Sequence, residues 1–303
     1  MLLVGVRVLD LSRLLPGPYC TQLLQAQGAE VTKIEPPAGD PIRALPGGEA
    51  YFEALHRGKQ LLRLDLRGEA GRETLRQRVL DTDVLVEGFR PGVMERLELG
   101  YSTLSAINPA LVYCAITGYG STGPMARRAG HDLNYLARSG ALSLMPRRDG
   151  GPAIPGLQVA DLAGGLHAAF LIAAALVARA ETGRGSRVEV SMTDLMRSWT
   201  VLPRAARRAG LPGLLLTGEL PCYHVYAVSD GFLTVAALES DFWSEFCHAL
   251  DREDLAARQF DEAAITEVQA TLQTASRAEW TTRFADRDVC VEPSLTLEES
   301  EAD

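Results

Sequence analysis

The feature that most constrains this chain is an alternation of short apolar runs with amphipathic segments over its first 120 residues. Residues 4–9 (VGVRVL) form an apolar run that ends at Asp10, and residues 30–34 (EVTKI) form a second. Residues 59–66 form a third, alternating and polar enough for a sheet edge; residues 83–87 (DVLVE) and 110–116 (ALVYCAI) complete the set. Runs of this length bounded by turn residues read as strands. Between them, residues 19–27 read as a helix stopped by Gly28, residues 68–80 as an amphipathic helix and residues 93–97 as a short one. Strands that alternate with helices imply a mostly parallel, Rossmann-like sheet in an α/β domain. Such sheets bind ligands beyond the carboxyl ends of their strands. The Pro/Gly loops Leu14-Leu15-Pro16-Gly17-Pro18 and Gly88-Phe89-Arg90-Pro91-Gly92 fall at those ends.

The remainder has a different texture. Residues 130–145 read as helical, 161–180 as a long apolar helix, 187–190 as a strand and 193–208 as a further helix. Residues 209–218 (AGLPGLLLTG) read as a linker. Residues 223–228 and 232–238 form a hairpin around Ser229-Asp230-Gly231, a strong turn signal. A helix over 241–250, polar helices to about residue 284 and an acidic tail over 297–303 follow. The expected organisation is a large α/β domain over 1–208, the linker, and a smaller α+β domain over 219–303. A chain of 303 residues has room for two domains.

Composition excludes several classes. Thirty-nine acidic against thirty basic residues leave a net charge of −9, so no nucleic-acid partner is expected through overall charge, although a local basic patch could hold a phosphate. Lys33 and Lys59 are the two lysines; the other 28 basic residues are arginine. A bias that runs through the whole chain reads as compositional first, and as a preference for bidentate phosphate grips second. Cys20, Cys114, Cys222, Cys247 and Cys290 are odd in number, widely spaced and free of any CxxC, which argues against a disulfide framework or a zinc site. A cytoplasmic location and no metal are expected. The opening MLLVGVRVLD reads as a strand, not a signal peptide. The apolar run 162–178 contains Gly164, Gly165 and His167 and sits at the short edge for a membrane span, so it reads as a buried helix.

Gly118-Tyr119-Gly120-Ser121-Thr122-Gly123 matches a dinucleotide fingerprint directly after a strand. It follows the fifth strand, not the first, and Pro124 and residues 125–130 do not open a clean helix. A glycine loop that lets a ligand approach the backbone is the better reading.

Several phrases, taken in order, resemble the class III CoA-transferase (CaiB/BaiF) family and its α-methylacyl-CoA racemase branch. Gly5-Val6-Arg7-Val8-Leu9-Asp10-Leu11-Ser12 resembles the family's first strand. Pro16-Gly17-Pro18 with Gly28-Ala29-Glu30-Val31 resembles the loop, helix and strand that follow. Glu87-Gly88-Phe89-Arg90-Pro91-Gly92-Val93 is similar to the CoA-loop signature. Thr117-Gly118-Tyr119-Gly120, Gly123-Pro124 and Gly130-His131-Asp132-Leu133-Asn134-Tyr135 resemble the racemase branch. Asp161 with Gly164-Gly165 is similar to the central aspartate and its glycines, and Ala237-Leu238-Glu239 with Phe242 to the racemases' glutamate segment. Cys290-Val291-Glu292-Pro293 resembles a phrase near the end of the second domain.

The resemblance implies inversion at the carbon next to a CoA thioester, with an acyl-CoA substrate and no cofactor beyond its CoA moiety. Inversion needs acid/base groups on both faces of a planar enolate and donors at the enolate oxygen. His131 suits one face, with Glu239 holding and polarising it, and Asp161 suits the other. Burial beside the thioester raises an aspartate's pKa and a helix N-terminus opposes this. Backbone N–H groups around Asp132 are candidate oxyanion donors. Arg90, Arg43, Lys59, Gly88, Tyr119, Gly120 and Asp132 are candidate CoA contacts. Pro36 stands where relatives place an arginine, which moves that contact to Arg43, and Leu157 stands where racemases carry an asparagine. Family members run on past this chain's last residue into a segment that returns to the large domain. The resemblance further implies an interlocked homodimer in which Glu239 meets His131 across subunits. Two other readings stay open. One is a CoA-transferase with Asp161 as nucleophile. The other is a non-catalytic acyl-CoA-binding paralogue.

Overall fold

The computed structural model describes residues 1–148, 150–211 and 216–302. Its strands are β1 (Arg7–Asp10), β2 (Glu30–Glu35), β3 (Gln60–Arg63), β4 (Val84–Glu87) and β5 (Val112–Thr117). These are followed by the minimal pair β6 (Arg147–Arg148) and β7 (Gly151–Pro152), then β8 (Arg187–Ser191), β9 (Tyr223–Val228), β10 (Gly231–Ala236) and β11 (Val291–Pro293). Six of them form a parallel sheet in the order β3-β2-β1-β4-β5-β8. β4 and β5 are buried along their whole length, as central strands covered on both faces must be. The sheet grows outward from β1 in one direction through β2 and β3, then restarts at β4 on the other side. The carboxyl ends of β1 and β4 therefore flank the switch point at which α/β sheets open a crevice.

The helix Pro16–Ala26 starts with proline in its first turn, where the missing N–H costs nothing, so it opens three residues before the sequence expectation. It packs against the long helix Val159–Thr182, which buries a face of small residues: Ala160, Ala163, Gly164, Gly165, Ala168 and Ala175 around Ile172. A Cβ on Gly165 would stand 2.4 Å from the Pro16 carbonyl oxygen, so glycine sets how closely the two backbones approach. The opposite face carries Leu166, Phe170 and Val177 at 54%, 64% and 68% exposure. The expected buried helix is thus corrected: one face is covered and the other is open. By length and composition this helix could also cross a membrane.

Other boundaries moved for local reasons. The stretch 130–145 is a helix, Asp132–Ser139, stopped by Gly140 at φ +90, followed by a 3₁₀ turn, Ala141–Leu144. The single helix expected over 193–208 is two, Met192–Trp199 and Val201–Arg208. Helices Gly48–His56 and Tyr101–Ile107 were not legible, and the acidic tail contains the helix Leu297–Ala302, whose Glu299 pairs with Arg277 at 2.6 Å.

Contacts divide the chain into Met1–Val201 and Leu202–Asp303. The first boundary thus precedes residue 208, and the expected linker 209–218 falls in part on residues 212–215, outside the described residues. The second unit is an antiparallel sheet in the order β11-β10-β9 packed on helices, with its own core of Trp243, Phe246, Leu255, Val268, Leu272 and Trp280. All five cysteines are free thiols.

Candidate active site

Three loops leave the carboxyl ends of neighbouring strands and enclose a cavity of about 250 Å³. After β1 come Ser12, Arg13, Leu14, Pro16 and Gly17; after β4 come Gly88, Phe89, Arg90 and Pro91; after β5 come Gly118 and Tyr119. Arg128, Gly130, His131, Tyr135 and Asp161 also belong to the wall. The cavity lies where the sheet topology opens its crevice, and it brings together His131, Asp161, Arg90, Gly88 and Tyr119 from segments far apart in sequence.

Asp161 lies inside the first turn of its helix, because that helix begins at Val159 and not at Asp161. The capping oxygen comes from another helix. Asp132 Oδ1 accepts the backbone N–H groups of Ala160 at 2.6 Å and Asp161 at 3.1 Å, two of the donors a helix start leaves unpaired. Asp132 is itself the first residue of Asp132–Ser139, so one carboxylate ties two helix starts together. Burial, and then the neighbouring charge of Asp132, push the Asp161 carboxyl from its ordinary 3.8 up to about 7.

His131 is the N-cap of Asp132–Ser139, in extended backbone, and its side chain is exposed. Asn134 Oδ1 accepts the His131 N–H at 3.0 Å and so fixes the turn. Tyr135 donates its hydroxyl to the Gly130 carbonyl at 2.5 Å and meets Tyr119 edge-on at 5.2 Å between ring centres. Burial first, then Asp161, push the Tyr135 phenol up to about 12, so it stays a donor at neutral pH. Glu87, at the end of β4, accepts the Phe89 N–H at 2.7 Å and thereby orients the turn that carries Arg90. Arg13 lies 5.0 Å over the Phe89 ring. The sequence reading missed Arg13, Arg128 and Tyr135. The position of Arg13 in the loop after the first strand was the available signal.

Several candidate CoA contacts lie away from this cavity. Lys59 has a fully enclosed side chain, donating to the Pro18 carbonyl at 2.8 Å and the Thr21 hydroxyl at 2.7 Å beside Asp10. Arg43 is engaged by Glu35 at 2.8 Å and by Glu49, and stacks on Phe52 at 3.4 Å. Neither lines the cavity. Gly120 also lies outside its lining: its N–H goes to the Thr117 hydroxyl at 3.0 Å, while Ser121 gives its N–H and hydroxyl to Glu189 at 2.6 and 2.7 Å. No helix starts after Gly123 until Asp132, so the glycine run presents no helix N-terminus to a pyrophosphate. A second cavity of about 350 Å³ shares Arg13 and Phe89 with the first and is walled by Pro36, Pro37, Leu64, Leu66 and Arg67. Glu239 lies in the second unit, exposed, as the N-cap of Ser240–Ala249.

The Rossmann-like sheet thus brings a carboxyl group, an imidazole and the arginines Arg13, Arg90 and Arg128 to one cavity at its switch point. The sequence pattern of CoA-transferase family III matches residues 3–303, and the chain belongs to that family, whose members act on acyl-CoA. It is 37% identical to the alpha-methylacyl-CoA racemase of Mus musculus over 99% of this chain and 79% of that protein. It is 36% identical to the succinyl-CoA:mesaconate CoA-transferase of Haloarcula marismortui, over 91% of this chain and 74% of the other. Among solved structures, a CaiB/BaiF family protein from Brucella suis superposes with a TM-score of 0.86 at 32% identity, over 99% of this chain and 85% of that one.

Proposed function

We propose that the protein is an acyl-CoA racemase or epimerase that inverts the α-carbon of a 2-methyl-branched acyl-CoA. The observation that carries this reading is the pair His131 and Asp161 on one cavity, supplied by two helices, with Asp161 held near neutrality. A thioester acidifies its α-proton only partly. One group removes that proton, a planar enolate forms, and the other returns a proton to the opposite face. Asp161, held near neutrality, can both take and return a proton, which lets the reaction run in both directions. The Asp132 N–H, at the start of its helix, supports the enolate oxygen. Arg13, Arg90 and Arg128 supply charge for the CoA phosphates, and the apolar second cavity beside Arg13 suits the uncharged base. Glu239 of a second protomer orients His131 in a homodimer.

The similarity to the mesaconate transferase supports a second reading, in which ionised Asp161 attacks the thioester carbonyl and CoA leaves. That reaction has no use for His131. The test is incubation with a chiral 2-methylacyl-CoA in deuterium oxide without an acceptor acid. Deuterium at the α-carbon is expected, and His131→Ala should suppress exchange of one enantiomer more than the other. No exchange, with CoA transfer once a carboxylate is added, would sink the racemase reading in favour of the transferase. CoA binding without either activity would leave the silent paralogue.

A further inference from the structure

The two lysines of an otherwise arginine-only chain meet at one place, beneath the loop of residues 12–18. Both side chains are fully enclosed, and no arginine among the described residues is buried. Lys33, on β2, donates its ammonium to the Ser12 carbonyl and pairs with Asp40 at 3.2 Å. Lys59, just before β3, donates to the Pro18 carbonyl at 2.8 Å and the Thr21 hydroxyl at 2.7 Å, and lies 3.5 Å from Asp10. The carboxylates complete the grip. Asp10 accepts the Ser12 N–H at 3.0 Å, the Ser12 hydroxyl, and the Thr21 hydroxyl at 2.6 Å. Asp40 accepts the Leu14 N–H at 3.3 Å.

The loop is therefore held at both ends and in its middle. It needs to be, because Leu14 stands at φ +64, a conformation that a side chain disfavours. Ser12, Arg13, Leu14, Pro16 and Gly17 all line the cavity, so the shape imposed from below is the shape of the cavity wall. An ammonium is a compact point charge with three rotatable donors and fits between carbonyl and hydroxyl oxygens; a planar guanidinium needs more room and a forked partner. That explains why lysine stands at these two positions when the chain uses arginine everywhere else.

We propose that Lys33 and Lys59 are positioning residues that hold the loop of residues 12–18 in its cavity-lining shape and so set how Arg13 meets the acyl-CoA. The kinetic consequence rests on the proposed function; the consequence for the loop does not. The test compares Lys33→Arg and Lys59→Arg with Val268→Ala, a cavity in the second unit's core, at matched loss of thermal stability. Amide hydrogen exchange of peptides covering residues 11–20 is read alongside KM and kcat for α-proton exchange. The lysine variants are expected to speed loop exchange about tenfold or more. They should raise KM about tenfold while kcat changes less than about threefold, and Val268→Ala should move neither. Loop exchange within about twofold of the parent, or equal to that of Val268→Ala, would overturn the proposal. If the lysine variants do not fold, Ser12→Ala and the charge-neutral pair Asp10→Asn with Lys59→Met are judged by the same readouts. A parent protein without exchange activity would refute the racemase reading alone, because the amide measurement still decides the loop.

Discussion

At the scale of single residues, the site turns on two aspartates that are neighbours in space and distant in sequence. Asp161 is raised to about 7 by burial and by Asp132, so folding favours its protonated form. The sign follows: stability is undisturbed below the unfolded value of 3.8 and is lost as pH rises through about 7, where the buried carboxyl must ionise. Asp161→Asn is therefore expected to match the parent's stability at pH 4 and to exceed it at pH 8. The gain is on the order of 1–2 kcal/mol once the full shift is discounted for partial exposure, as urea unfolding at the two pH values would measure. The same variant should lose α-proton exchange by at least about 100-fold. Asp132→Asn keeps an oxygen for the Ala160 and Asp161 N–H groups but removes the like charge. The limb of the pH–rate profile that reports Asp161 should move to lower pH, and an unchanged limb would show that Asp132 acts only as a cap. Asp161 was legible as a candidate because it stands in a motif. Its trans-capping partner was not, because nothing local to Asp132 announces that its carboxylate serves a helix that starts at Val159.

At the scale of elements, the strands of the parallel sheet were readable to within a few residues, since apolar runs and Gly/Pro punctuation are local signals. What failed was also local in cause. Residues 130–145 looked like one helix until Gly140 entered the left-handed region, and β11 spans three residues, too few to show a period. The long helix displays a different limit. Its alanine-rich composition says that it is helical and apolar but not which face is covered. Gly165 decides that face by admitting the Pro16 carbonyl. Gly165→Ala should thus destabilise the protein by ~1–3 kcal/mol through overpacking, although the same change at an exposed helix position would stabilise by up to about 1 kcal/mol. A denaturant series that finds Gly165→Ala stabilising would show that the helices separate without cost.

At the scale of the whole molecule, two units carry separate cores; His131 and Asp161 lie in the first and Glu239 in the second. If Glu239 orients His131 of a second protomer, an equimolar reassembly of His131→Ala with Glu239→Gln restores one intact site in each mixed dimer. Roughly a quarter of the parent's exchange rate should return, although each variant alone is nearly inactive. No recovery on mixing would place both residues of a site in one chain. Local pattern and the order of motifs were enough to determine a Rossmann-like parallel sheet followed by an α+β unit, and the family to which they belong, because periodicity, turn residues and short phrases are properties of neighbouring residues. Only the tertiary structure decided which charges face the cavity. Arg13, Arg90 and Arg128 line it, while Lys59 and Arg43 are drawn into Asp10, Glu35 and Glu49. Whether a cation is free or engaged depends on which carboxylates the fold brings within a few ångströms of it, and sequence spacing does not encode those distances.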